Sequence, residues 1–174
     1  MREGLGFTLW ELVCTLAIAG IALTAAVPSF SSFLLDARLT ADVNAWVLAV
    51  QLARSEAFRR GRPVIVCQTS DNRQCDGAAA GWMVYVNLDD EYPPRRSAAE
   101  PLLYAHSAET TGSILSNRPY YEFRTGRRST NGTIVFCDRR GAAAARAVIV
   151  SFTGRPRVDS RDADRRPLVC ARLT

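Results

Sequence analysis

Gly4-Leu5-Gly6-Phe7-Thr8-Leu9-Trp10-Glu11-Leu12 leads into a long apolar run. From Leu12 to Leu35 no residue is charged, 24 consecutive positions. At a helical rise of ~1.5 Å per residue the run spans ~36 Å, enough to cross a hydrocarbon core of about 30 Å. A cleaved secretory signal would need a basic leader, a short apolar stretch and an Ala-x-Ala-like site. Here the basic leader is minimal, and Thr24-Ala25-Ala26-Val27 only mimics such a site. The run continues past it through Pro28, Phe30, Phe33 and Leu35 and meets no loop signal. It therefore reads as a membrane-length helix. Glu11 stands at its edge, where a carboxylate costs a few kcal/mol unless partnered.

Beyond Leu35 the pattern becomes amphipathic through about Arg60. Val43, Trp46, Val47, Val50, Ala53, Ala57 and Phe58 approximate the spacing of one buried face. Asp36, Arg38, Asp42, Arg54, Glu56, Arg59 and Arg60 form the polar complement, and Gly61 and Pro63 give the stop signal. A helix from Phe7 to Arg60 would be ~80 Å long.

The remainder reads as β. Short segments rich in Val, Ile, Tyr and Phe, separated by Gly, Pro, Asn and Asp, predict strands at 63–68, 81–88, 102–106, 120–124, 133–138, 147–152 and 168–172. The expected fold class is α+β, one long N-terminal α-helix packed on a mostly antiparallel β-sheet head.

Of five cysteines, Cys14 lies in the apolar run, and Cys67, Cys75, Cys137 and Cys170 lie in the polar part. None forms a CxxC pair and the single His106 is remote in sequence, which argues against zinc. Four cysteines allow three pairings, and disulfides fit an oxidising compartment. Cys67 and Cys75 flank an apparent loop, and Cys137 and Cys170 fall in candidate strands, so Cys67–Cys75 and Cys137–Cys170 are the expected bonds. The second would hold segment 154–166 against the head.

Catalytic signals are weak. His106 has no motif around it, and Asp89-Asp90-Glu91 lacks the Gly alternation of a calcium loop and reads as a solvated turn. Gly126 and Gly132 bracket a hairpin connection rather than a phosphate loop. The chain reads as a non-enzyme without cofactor or metal.

Charge placement says more. All 22 basic residues are arginine. Residues 1–117 carry 9 Arg against 12 acids, whereas residues 118–174 carry 13 Arg against 5 acids. A basic C-terminal third suggests a polyanionic partner. Its arginines cluster as Arg127 and Arg128, Arg139 and Arg140, then Arg155, Arg157, Arg161, Arg165 and Arg166. Each cluster follows a candidate strand, so their loops could converge at one end of a sheet. In an extended stretch Arg155 and Arg157 would share one side, ~7 Å apart, roughly the spacing of successive phosphates. The competing reading is a strand end whose arginines pair with Asp159, Asp162 and Asp164.

Gly6-Phe7 with Glu11, directly opening a membrane helix, resembles the class III signal of type IV prepilins and type II secretion pseudopilins. Pro28 matches that family's helix-kinking proline, while Trp10 departs from its usual aliphatic residue. The resemblance implies a leader, residues 1–6, cut after Gly6 by a prepilin peptidase, and N-methylation of Phe7. It implies a transmembrane and filament-core helix over 7–35 and a globular head over 36–174. Glu11 would meet the Phe7 amine of a neighbouring subunit. Localisation follows: inner membrane with a periplasmic head, then the pilus filament at the cell surface.

The head resembles the pseudopilin H and FimT-like branch through Ala53-Arg54-Ser55-Glu56-Ala57, Gly132-Thr133-Ile134-Val135-Phe136-Cys137 and Ile149 to Arg157. Gly154-Arg155-Pro156-Arg157 is similar to the GRxR motif of FimT-type minor pilins. That resemblance implies sequence-nonspecific DNA binding for uptake in natural transformation through Gly154, Arg155 and Arg157, and the clustering adds Arg127, Arg128, Arg139, Arg140 and Arg161 to the expected contacts. The expected partners are DNA, other pilins, the prepilin peptidase and the inner membrane. The alternative is a minor pilin or type II secretion pseudopilin that primes or caps filament assembly without binding DNA.

Overall fold

The computed structural model describes residues 8–78, 80–110 and 112–170. Gly6 and Phe7, where cleavage and methylation are expected, lie outside the described residues. The chain divides into two compact units, Met1–Ala37 and Arg38–Thr174.

Helix α1 runs from Leu9 to Arg60. It starts on a capping box. The Glu11 N–H donates to Thr8 Oγ1 at 3.3 Å, and Glu11 Oε2 accepts from the Thr8 N–H at 2.9 Å and its hydroxyl at 3.0 Å. In the first unit the helix is long and apolar enough to cross a membrane. Leu9, Trp10, Leu16, Ile18, Ile21 and Leu23 are all exposed there. The helix ends where Gly61 takes a positive φ of 62° and its N–H donates to Ala57 O at 3.0 Å.

In the second unit, eight strands follow: β1 (Val64–Gln68), β2 (Gly81–Val86), β3 (Leu102–Ser107), β4 (Ile114–Ser116), β5 (Tyr121–Phe123), β6 (Gly132–Phe136), β7 (Arg146–Val150) and β8 (Pro156–Asp159). They form two four-stranded sheets, β3-β2-β1-β5 and β4-β6-β7-β8, with every pairing antiparallel. The expected single sheet is thus two. The strand expected over 168–172 does not form within the described residues: Arg161 bridges Pro167, and Leu168 is buried without a ladder. In its place β8, with its proline and charges, closes the edge of the second sheet, as edge strands commonly do.

Both sheets pack on the residues of α1 from Leu39 onward. Leu39, Val43, Trp46, Val50, Ala53 and Ala57 join Val64 and Val66 of β1, Trp82 and Val84 of β2, Ile134 and Phe136 of β6 and Val148 and Val150 of β7. Trp46 is fully buried and meets the edges of Trp82, Tyr121 and Phe136 at centroid distances of 5.4, 5.5 and 6.5 Å. Such pairs add roughly 0.5–1.5 kcal/mol each to the burial itself. Alternate residues form the outer layers, Ile65, Met83 and Tyr85 on the first sheet and Cys137, Ala147 and Leu168 on the second. Disulfides Cys67–Cys75 and Cys137–Cys170 close over these layers.

Among the buried carboxylates, Asp42 lies on α1. Asp42 accepts the N–H of Glu109 at 3.0 Å and of Thr110 at 2.7 Å, and its Oδ1 lies 3.0 Å from His106 Nε2. Burial alone would push its pKa up, but hydrogen bonds from Thr110, His106 and Glu109 outweigh it and hold the carboxyl low. It ties α1 to the segment after β3.

Phe58 departs from the expected buried face and is 79% exposed. Ala57 takes the inward position, and one residue further turns the side chain by about 100°.

Candidate functional site

The arginine clusters separate according to strand direction. In the second sheet Gly132 of β6 lies opposite Val150 of β7, and Phe136 opposite Arg146. The loop after β7 therefore leaves the sheet at the end where β6 begins. Arg155 lies in that loop, at the same end as Arg127 and Arg128 before β6. The loop after β6, with Arg139 and Arg140, lies at the other end, about 16 Å away along a five-residue strand. Strand β8 returns to that far end, since Ala147 faces Asp159, and carries Arg161, Arg165 and Arg166 with it. A single converging patch is thus replaced by two sites.

At the far end the arginines have acids for company. Arg140 holds the buried Asp138 through Nε at 3.0 Å and Nη2 at 2.7 Å. Burial raises the Asp138 pKa, but the Arg140 side chain and backbone N–H, with the charge of Arg139, more than reverse it. Asp162 Oδ1 accepts from the N–H groups of Asp164 and Arg166 at 2.9 and 2.7 Å, and Asp159 Oδ1 from that of Arg161 at 3.0 Å.

The near end is built around Gly154. The β7–β8 turn closes with the Gly154 N–H donating to Ser151 O at 2.8 Å, and Gly154 takes φ 71°. A Cβ there would stand 3.0 Å from Ser129 Oγ and 3.1 Å from the Phe123 ring, so glycine alone fits both the turn and the packing. The Ser129 N–H donates to Phe152 O at 3.0 Å, which fastens the β5–β6 loop to this hairpin. Arg128 adds a second link, its guanidinium 5.7 Å from the centre of the Phe152 ring.

Between this hairpin, the β5–β6 loop and the last turns of α1 lies an open concavity of 710 Å³. Gln51, Arg54, Ser55 and Phe58 line it from the helix at i, i+3, i+4 and i+7 spacing. Arg127 and Arg155 line it from the two loops, and no Asp or Glu belongs to the lining. Arg124, also there, is neutralised by Glu122 and Asp90. The guanidiniums of Arg54, Arg127 and Arg155 have no carboxylate partner among the described residues. Glu56 is occupied with Arg59 and Arg60, whose hydrogen bonds hold its pKa down to about 2. Arg157 sits next along β8, exposed, with Asp159 at 3.8 Å. Three free cations around a carboxylate-free hollow can hold anionic oxygens at several points.

Sequence reasoning counted Arg54 as ordinary helix polarity and Phe58 as core. The i, i+3, i+4, i+7 set was the signal that could have found them.

The model of the type II transport protein GspH family matches residues 42–154, more than half of the chain. The chain belongs to the GspH family. Its fold is similar to that of the Pseudomonas aeruginosa (strain PAO1) type IV minor pilin FimU in two crystal forms. One match has a TM-score of 0.55 at 19% identity, covering 76% of this chain and 100% of FimU. The other has a TM-score of 0.54 at 19% identity, covering 76% and 95%. No curated protein matches the chain in sequence. This GspH-family chain therefore carries a pilin-like fold, a long N-terminal helix on antiparallel sheets.

Proposed function

We propose that this GspH-family chain is a type IV pilus minor pilin that binds extracellular DNA for uptake in natural transformation. A prepilin peptidase releases Phe7, residues 7–35 hold the subunit in the inner membrane with its head in the periplasm, and the subunit then joins other pilins in the filament. DNA meets the head at Arg127, Arg128, Arg155 and Arg157. The observation that carries this reading is the set of carboxylate-free guanidiniums, Arg54, Arg127 and Arg155, brought from three separate segments to one concavity. Such an arrangement recognises phosphate, whose spacing is independent of base sequence. Arg139, Arg140 and Arg161 drop out of the contact set, because they stand at the far end among acids.

The test uses the full chain in detergent micelles and labelled duplexes of two unrelated sequences, titrated across a salt series. Arg155→Gln with Arg157→Gln should weaken binding at least tenfold for both sequences. The log K against log[salt] slope should shrink by about two, roughly one per lost phosphate contact. Arg139→Gln with Arg161→Gln should change affinity less than about twofold, since neighbouring acids already screen these groups. A folded Arg155/Arg157 double variant with full affinity and slope would transfer the reading to a pseudopilin that primes or caps a filament without DNA.

A further inference from the structure

Phosphate contacts leave one part of the concavity unused. Phe58 stands in its wall at 79% exposure, beside Arg54 and facing a hollow that Arg127 and Arg155 also line. Guanidiniums alone need no phenyl ring, and an exposed ring on a helix end is unfavourable in water. We infer that the concavity takes an unpaired nucleotide of single-stranded DNA, its base stacked on Phe58 and its flanking phosphates held by Arg127 and Arg155. This inference rests on the nucleic-acid reading above.

Size and chemistry both select it. The hollow is open to solvent, and its 710 Å³ is the volume of a small-ligand site. A duplex keeps its bases stacked inside and offers the hollow only backbone. A single strand can turn one base inward while its phosphates stay on the rim. Exposed aromatic rings beside a basic groove are the combination that holds single strands without sequence preference, because every base has a π-face. The same β7–β8 hairpin repeats that pairing outside the hollow at Phe152, 53% exposed with the Arg128 guanidinium 5.7 Å from its ring centre. A second base has a stacking surface there.

The full chain in detergent micelles is titrated with a labelled oligothymidine of about twelve nucleotides and with a blunt duplex of the same length. Phe58→Ala should weaken the single strand about tenfold, within the range of one lost base stack, and leave the duplex within twofold. Phe58→Trp should keep or raise single-strand affinity. Phe58 is exposed, so melting temperature should not move. Arg155→Gln should weaken both ligands. An equal effect of Phe58→Ala on both ligands, or none on the single strand, overturns the inference. If the duplex still responds to Arg155→Gln in that case, the phosphate reading stands and only the nucleotide site falls. If neither ligand binds the wild-type chain, both fall together.

Discussion

The second sheet ends differently at its two ends. At one end Arg127 and Arg155 reach a concavity that no carboxylate lines, and Arg128 packs on Phe152. At the other Arg139, Arg140, Arg161, Arg165 and Arg166 share space with Asp138, Asp159, Asp162 and Asp164, and Cys137–Cys170 closes the region. In sequence the two sets look alike. What differs is the local charge balance: four acids stand among the five arginines of the far end, whereas no acid lines the hollow at the near end, and only net local charge is available to a polyanion. The far end acts as a clasp on the fold, and the near end is left open to a ligand.

Three changes break or sharpen this contrast. The largest expected effect is on the clasp. Cys137→Ser with Cys170→Ser opens a cross-link of sequence separation 33, which should lower stability by about 3–4 kcal/mol in the chain-entropy model. Denaturant unfolding measures that loss, and DNA affinity under native conditions should move less than twofold. A large affinity loss in the folded double variant would join the two ends functionally.

Gly154→Ala attacks the open end. A side chain at φ 71° that also meets Phe123 and Ser129 should cost about 1–2 kcal/mol in thermal stability. Because it displaces the hairpin that carries Arg155, affinity should fall several-fold. That is the reverse of the disulfide result, in which stability falls and binding does not.

The smallest effect concerns pH. The Asp138 pKa lies below its ordinary 3.8 in the fold. The unfolded chain therefore takes up its proton first as pH falls, so the pair's stabilisation is complete above about pH 4 and lost below it. Arg140→Gln should lower the melting temperature by a degree or two near neutrality. The gap from wild type should narrow as pH falls below the ordinary 3.8 of Asp138. Arg155→Gln, with no carboxylate to titrate, should show no such convergence.

Much of the fold is legible in the sequence, because periodicity directly reports which face is buried. Val43, Trp46, Val50, Ala53 and Ala57 mark the helix stripe, and the unbroken apolar runs Ile65–Cys67 and Ile134–Phe136 mark strands covered on both faces. The misses have physical reasons. Strand β8 is exposed and carries proline and charge, which imitates a loop. Strand β4 has three residues, too few for a period. Leu168 is apolar because it plugs an outer layer as irregular chain. The site was half legible: arginine clusters can be counted in a sequence, but strand direction decides which of them meet. Phe58 shows the finest limit, since one position along a helix separates core from wall.

The capping box at the start of α1 has a consequence for the valence of Glu11. Both of its hydrogen bonds from Thr8 end on Oε2. A carboxylate has two oxygens with about four lone-pair sites between them, and Oε1 has no donor among the described residues. Oε2 alone keeps the first turn wound, so the start of the helix makes no demand on Oε1. A donor that reached Oε1 would leave both Thr8 bonds, and with them the first turn, in place.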